Sequence, residues 1–137
     1  MKYTATEAAR IAGISYRQLD YWDRTGLISP STQEAHGSGS RRAYSYRDLV
    51  DLRTVKTMLD ANISLAAVRK VMHVLQGYPS LDIPDLTVVM LGESVRLCSR
   101  DELVEIVRNE KGMLNVLPLS GITESLDNEL LVDVVHR

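Results

Sequence analysis

The chain has 137 residues, of which 45% are apolar and 25% charged, with a formal net charge of −2. That length supports one ordinary domain or two very small ones, and the composition excludes wholesale disorder. No apolar run approaches the roughly 20 residues needed to cross a bilayer, residues 1–20 hold no signal-like core, and one cysteine cannot form an internal disulfide, so a cytoplasmic protein without a membrane partner is expected.

The small net charge conceals an asymmetry. Residues 1–76 hold 11 Lys/Arg and 7 Asp/Glu, whereas residues 77–137 hold 5 and 11. The basic half can face a polyanion that would repel the acidic half. Between them runs GYPSLDIPD, Gly77–Asp85, with two prolines and no helical period. The expected organisation is therefore 1–76, a linker at 77–85, and a second unit at 86–137.

In chain order, Thr6 is the expected N-cap of a first short helix whose apolar side is Ala8, Ala9, Ile11 and Ala12, ended by Gly13. Ser15 opens a second helix, and Gln18 three residues on completes a capping-box pattern. Two short helices joined by a tight glycine turn predict a helix-turn-helix. On the second helix Leu19 and Trp22 form a buried side, while Arg17, Asp20 or Tyr21, and Arg24 share another face. A helix in the major groove needs long donors on its outward stripe and reaching residues in its first turn, where Tyr16, Arg17 and Gln18 stand.

Leu27 and Ile28 look like the start of a strand, with Arg41–Tyr44 returning as its partner and AHGSGS as the tip. A hairpin with a small-residue tip and a basic return strand can lie along a duplex backbone. Arg41, Arg42 and Arg47 would supply charge to phosphates, and Tyr44 with the hydroxyls of Ser38 and Ser40 would supply directed hydrogen bonds.

EAARIAGIS, LDYWDRTGLISP and RRAYSYRDLVDLRTVKTML, in that order, resemble the winged helix-turn-helix domain of the MerR family of transcriptional regulators. The resemblance covers roughly Tyr3–Gln76 and rests on Leu19, Tyr21, Trp22, Arg24, Gly26, Leu27, Pro30, Arg42, Tyr44, Ser45, Asp48 and Leu52. YRQLDYW and the GSGS tip before RRAYS are most similar to an actinobacterial group within that family. One departure stands out: the familiar motif has arginine directly after the leucine, where this chain has Asp20. The resemblance implies a homodimer on double-stranded DNA that acts at promoters, with RNA polymerase as a further partner.

Ser45 is the expected N-cap of a helix carrying Leu49, Leu52, Val55 or Lys56, and Leu59. Asn62 suits a left-handed turn, and Ser64 caps a helix with Leu65, Val68, Met72 and Leu75 on one side. In typical members of the resembled family a long helix follows and pairs with its twin. Here the pattern lasts about three turns before Gly77, so domain core is the better reading.

The acidic half predicts strands at Leu86–Leu91 and Ser94–Cys98 around a turn at Gly92 and Glu93. A helix capped by Ser99 and Glu102 follows, with Leu103, Ile106 and Val107 inward, and Gly112 stops it. A third strand within MLNVLPL and a closing helix with Ile122, Leu126, Leu130 and Val134 complete an α+β unit. The whole is an α+β chain: a winged helix-turn-helix, then a small unit that dimerises, senses an effector or touches polymerase.

No catalytic or metal chemistry is expected, and no cofactor. Cys98 stands alone, His36, His73 and His136 lack ligand spacing, and GSGS lacks the lysine of a phosphate loop. One reading from another class stays open: an architectural DNA-binding protein of the excisionase or recombination-factor type. It needs no effector or polymerase contact, and the extra C-terminal unit favours the regulator over it.

Overall fold

Thr4, rather than Thr6, begins the first helix. Its hydroxyl accepts from the Glu7 amide while Glu7 accepts from the Thr4 amide, 3.1 Å each, a reciprocal cap that Thr6 cannot form inside the first turn. The computed structural model describes residues 2–30, 32–34, 41–78, 85–92, 94–109 and 114–135. The expected features at residues 35–40, 79–84, Glu93 and Gly112 lie outside them.

The elements are β1 (Tyr3–Thr4), α1 (Ala5–Ala12), α2 (Tyr16–Arg24), β2 (Thr32–Glu34), β3 (Arg41–Tyr44), α3 (Tyr46–Asp60) and α4 (Leu65–Gln76). Then follow β4 (Thr87–Leu91), β5 (Ser94–Cys98), α5 (Arg100–Asn109), β6 (Leu114–Pro118) and α6 (Leu119–Val135). The fold is α+β, with a helix-turn-helix at its N-terminal end. Gly13 closes α1 at φ 80°, where any other L-residue is strained, and its N–H bonds the carbonyls of Ala9 and Arg10. Asn62, at φ 62°, makes the turn from α3 to α4.

Two small antiparallel sheets result. In the first, β3 lies between β1 and β2, with Tyr3 opposite Tyr44 and Gln33 opposite Arg42. Leu27 and Ile28 are not its strand. Both amides donate to the Trp22 carbonyl, 2.9 and 3.3 Å, which satisfies the end of α2, and both side chains enter the core; β2 begins only at Thr32.

In the second sheet β4 is central, with β5 on one side and β6 on the other. Successive side chains of β4 alternate faces. Val88 and Met90 join the main core, while Val89 packs with Cys98 and Ile106 beneath α5. Val107, expected inward, is 58% exposed, because α5 turns only its Leu103 and Ile106 side to the sheet. Leu65 is likewise exposed, and Val71 takes its expected place among the buried residues of α4.

One continuous core runs through both halves of the sequence. Leu19, Trp22, Leu49, Leu52 and Leu75 belong to the same cluster as Val88, Leu119, Ile122 and Leu126. Helix α6 packs on α3 and α1, and β5 lies against α4. Polar ties reinforce this seam: Arg53 donates to the Ile11 carbonyl (3.0 Å) and to the Ser125 hydroxyl (2.8 Å), and Tyr46 donates to Asp127. Among the described residues no helix is long and apolar enough to cross a membrane.

Candidate nucleic-acid interface

Helix α2 is a nine-residue element fixed at both ends. The Ser15 hydroxyl accepts from the Gln18 amide and the Gln18 side chain accepts from the Ser15 amide, 3.0 Å each. At the other end the Thr25 hydroxyl donates to the Tyr21 carbonyl at 2.8 Å. Leu19 and Trp22 are buried, which sets the rotation of the helix about its axis. Tyr16 (54% exposed), Arg17, Tyr21 (51%) and Arg24 therefore stand on the solvent side. Gln18 is exposed as well, but its amide oxygen already serves the cap.

Two aromatic rings and two guanidinium groups on one short helix make a surface suited to base edges and phosphates. Arginine offers a planar fork of donors, and each tyrosine offers a hydroxyl and a flat apolar face. Arg17 has no hydrogen-bond or ion-pair partner among the described residues.

The hairpin behind this helix behaves differently from the sequence expectation. Arg41 begins β3 opposite Glu34, and its side chain, like Ser38 and Ser40, lies outside the described residues. Arg42 turns inward. It donates through Nη2 to Asp20, and its Nε sits 3.4 Å from an oxygen of Asp23. Asp20 also accepts from Arg24 Nε at 2.9 Å, so this carboxylate grips two guanidinium groups at once. The bond from Arg42 holds the Asp20 carboxyl below the usual carboxylate range; partial burial opposes this and Arg24 adds to it. The same bond pushes Arg42 above the ordinary guanidinium range.

Tyr44 and Arg47 are corrected in the same way. Tyr44 is fully buried, and burial pushes its phenol up while the Arg42 guanidinium beside it pulls the other way. A hydroxyl so enclosed cannot reach a phosphate. Arg47 faces the end of α4, where its guanidinium donates to the Leu75 carbonyl (2.8 Å), the Tyr78 carbonyl (2.6 Å) and Asp51 (3.1 Å). It thus satisfies backbone carbonyls that a helix C-terminus leaves open.

A basic strip on α4, unexpected from the sequence, lies close to α2. Arg69, Lys70 and His73, with Val74 and with Val95 of β5, border a shallow cleft of about 400 Å³. Arg69 Nη1 reaches the Thr25 carbonyl at the end of α2, 3.4 Å away. The adjacent Arg-Lys pair and a histidine one turn on were visible; their closeness to α2 was not.

Residues 3–75 match the family model for MerR HTH family regulatory proteins. Over 123 residues, 89% of its length, the chain is 40% identical to an uncharacterised HTH-type transcriptional regulator of Mycobacterium tuberculosis, covering 55% of that protein. It thus spans about half the length of the mycobacterial relatives that it matches. It is 27% identical to the HTH-type transcriptional regulator GlnR of Bacillus cereus over 97 residues, 71% of this chain and 67% of that one. Among solved structures it is similar to HiNmlR, a MerR family regulator lacking the sensor domain and bound to promoter DNA. The identity there is 17% and the TM-score 0.47, over 98% of this chain and 79% of that one.

Proposed function

The chain belongs to the MerR HTH family of regulatory proteins, and from that premise we propose that it regulates transcription by binding specific sites on double-stranded DNA. One observation carries the proposal. A helix capped at both ends and pinned by Leu19 and Trp22 holds Tyr16, Arg17, Tyr21 and Arg24 on its solvent side. In this reading α2 enters the major groove, Tyr16, Arg17 and Tyr21 address base edges, and Arg41 addresses phosphates, while Arg24 is held by Asp20. The reassignment of Arg42, Tyr44 and Arg47 to internal contacts leaves Arg41 as the chief cation of the wing.

The same proposal extends to assembly. Residues 1–76 form the DNA-binding part, 77–85 the connection, and 86–137 a part that dimerises or answers an effector. Two copies would then meet two half-sites, and a site lying between promoter elements would bring RNA polymerase within reach. Because the match covers only 55% of the mycobacterial relative, the whole regulatory activity is argued only through this DNA-binding part. Selection of bound duplexes from a random pool tests the reading: one recurrent motif, in paired half-sites of fixed spacing, is expected. Recovery of sequences no different from the input pool would overturn it.

A further inference from the structure

The contact that the DNA-binding reading does not use is the one around Asp20. Its carboxylate lies on the recognition helix, between Tyr16 and Arg17 in the first turn and Arg24 in the last. One oxygen accepts from Arg42 of β3 and the other from Arg24 of its own helix. Asp23, one turn along, takes the Nε side of Arg42. Two guanidinium groups and two carboxylates therefore form one neutral cluster at the base of the hairpin. Its members differ in exposure: the Arg24 side chain is 65% exposed, whereas Arg42, Asp20 and Asp23 are mostly covered.

Such a cluster has a consequence for a DNA-reading helix. A guanidinium that reaches any phosphate adds affinity without sequence information, and it adds the same on every duplex. A carboxylate that already holds Arg24 competes with the phosphate for it and also repels the backbone. We propose that Asp20 is a specificity-determining residue: by holding Arg24 it withholds that charge from phosphates, so that discrimination rests on Tyr16, Arg17 and Tyr21. This inference rests on the DNA-binding reading above and adds the residue that limits its non-specific part. Arg42 plays the complementary part of an internal counter-ion, because its guanidinium is anchored by β3 and cannot follow Arg24 outward.

The test uses the full chain and measures affinity for a selected duplex and for a random-sequence duplex of equal length across a series of KCl concentrations. Asp20→Asn keeps the size and an acceptor but removes the charge. It should tighten binding to random DNA, lower the ratio of specific to random affinity, and steepen the salt slope by about 0.9 for one recruited phosphate contact. The double variant Asp20→Asn/Arg24→Ala should return the slope to that of the unchanged chain. Arg24→Ala alone should leave the random-DNA slope unaltered, because Arg24 is already occupied. A slope unmoved by Asp20→Asn in a folded protein would overturn the proposal. Should that variant fail to fold, Arg24→Ala decides: a slope flattened by about 0.9 would show that Arg24 already reaches a phosphate. If the unchanged chain binds selected and random DNA alike, the DNA-reading function itself falls, and this inference with it.

Discussion

Tyr46 and Asp127 stand 81 positions apart, yet the tyrosine hydroxyl donates to the carboxylate at 2.6 Å. The bond joins the first turn of α3, beside the hairpin, to the middle of α6. Burial, with Asp127 acting in the same direction, pushes the Tyr46 phenol up to about 12.

Tyr46→Phe removes that bond and leaves Asp127 solvated. A loss of about 0.5–1.5 kcal/mol is expected, since an intramolecular hydrogen bond only replaces one to water. The check is hydrogen exchange of α6 amides: protection should fall most near Asp127, whereas an effect confined to α3 would mean that α6 is held without this contact.

Asp51 supplies a pH dependence. Burial pushes its carboxyl up to about 6 from an ordinary 3.8, although Arg47 pulls it down. The folded state therefore binds the proton more tightly than the unfolded chain does. The contribution is complete below the unfolded value and is lost as pH rises through about 6. Urea midpoints should fall between pH 4 and pH 6 through this group, on the order of 1–3 kcal/mol, and Asp51→Asn should flatten that segment of the curve. An identical slope in the variant would assign the dependence to other carboxylates.

Arg17 is the exposed guanidinium in the first turn of α2. If it reads a base, Arg17→Ala should cost about 1–3 kcal/mol on the preferred duplex and relax selection at one base pair. Competition titrations distinguish this from a phosphate role, which would weaken preferred and random duplexes equally.

Neighbouring arginines of β3 should give opposite phenotypes. Arg41→Ala is expected to flatten the salt slope by about 0.9 without changing the preferred sequence or the melting temperature. Arg42→Ala uncovers Asp20 and Asp23 in a mostly covered setting and should lower stability by about 1–3 kcal/mol. Thermal melts and salt titrations of the two variants together settle the assignment; a stable Arg42→Ala with a flattened slope would return Arg42 to the DNA.

These assignments show which features a sequence carries locally. The caps at Ser15, Ser45 and Ser64 were legible because each joins residues three positions apart. In the second sheet β4 was legible as a β-rich run and β5 from its alternation, and the outward stripe of α2 from helical spacing. The partners of Arg42 and Arg47 were not, because they are set by tertiary placement: Asp20 is 22 positions away, and the α4 carbonyls about 30. A long cation in a basic stretch reads as a phosphate ligand until the fold presents a nearer acceptor. Leu27 and Ile28 were misread for a related reason, since an apolar pair after a helix serves a core as readily as a strand.

The shared core also imposes an order on synthesis. Helix α2 and the hairpin leave the ribosome well before Leu119, Ile122 and Leu126, which complete the cluster that Leu19 and Leu52 belong to. At roughly 5–20 residues per second, the interval between residues 76 and 126 is a few seconds, in which α1 and α3 have an uncovered flank. Nascent chains arrested before α6 should be cut readily by protease, and those arrested after it should resist. A chain halted early would carry the exposed arginines of α2 yet lack α6, which packs on α1 and α3 and completes the core that Leu19 and Trp22 enter.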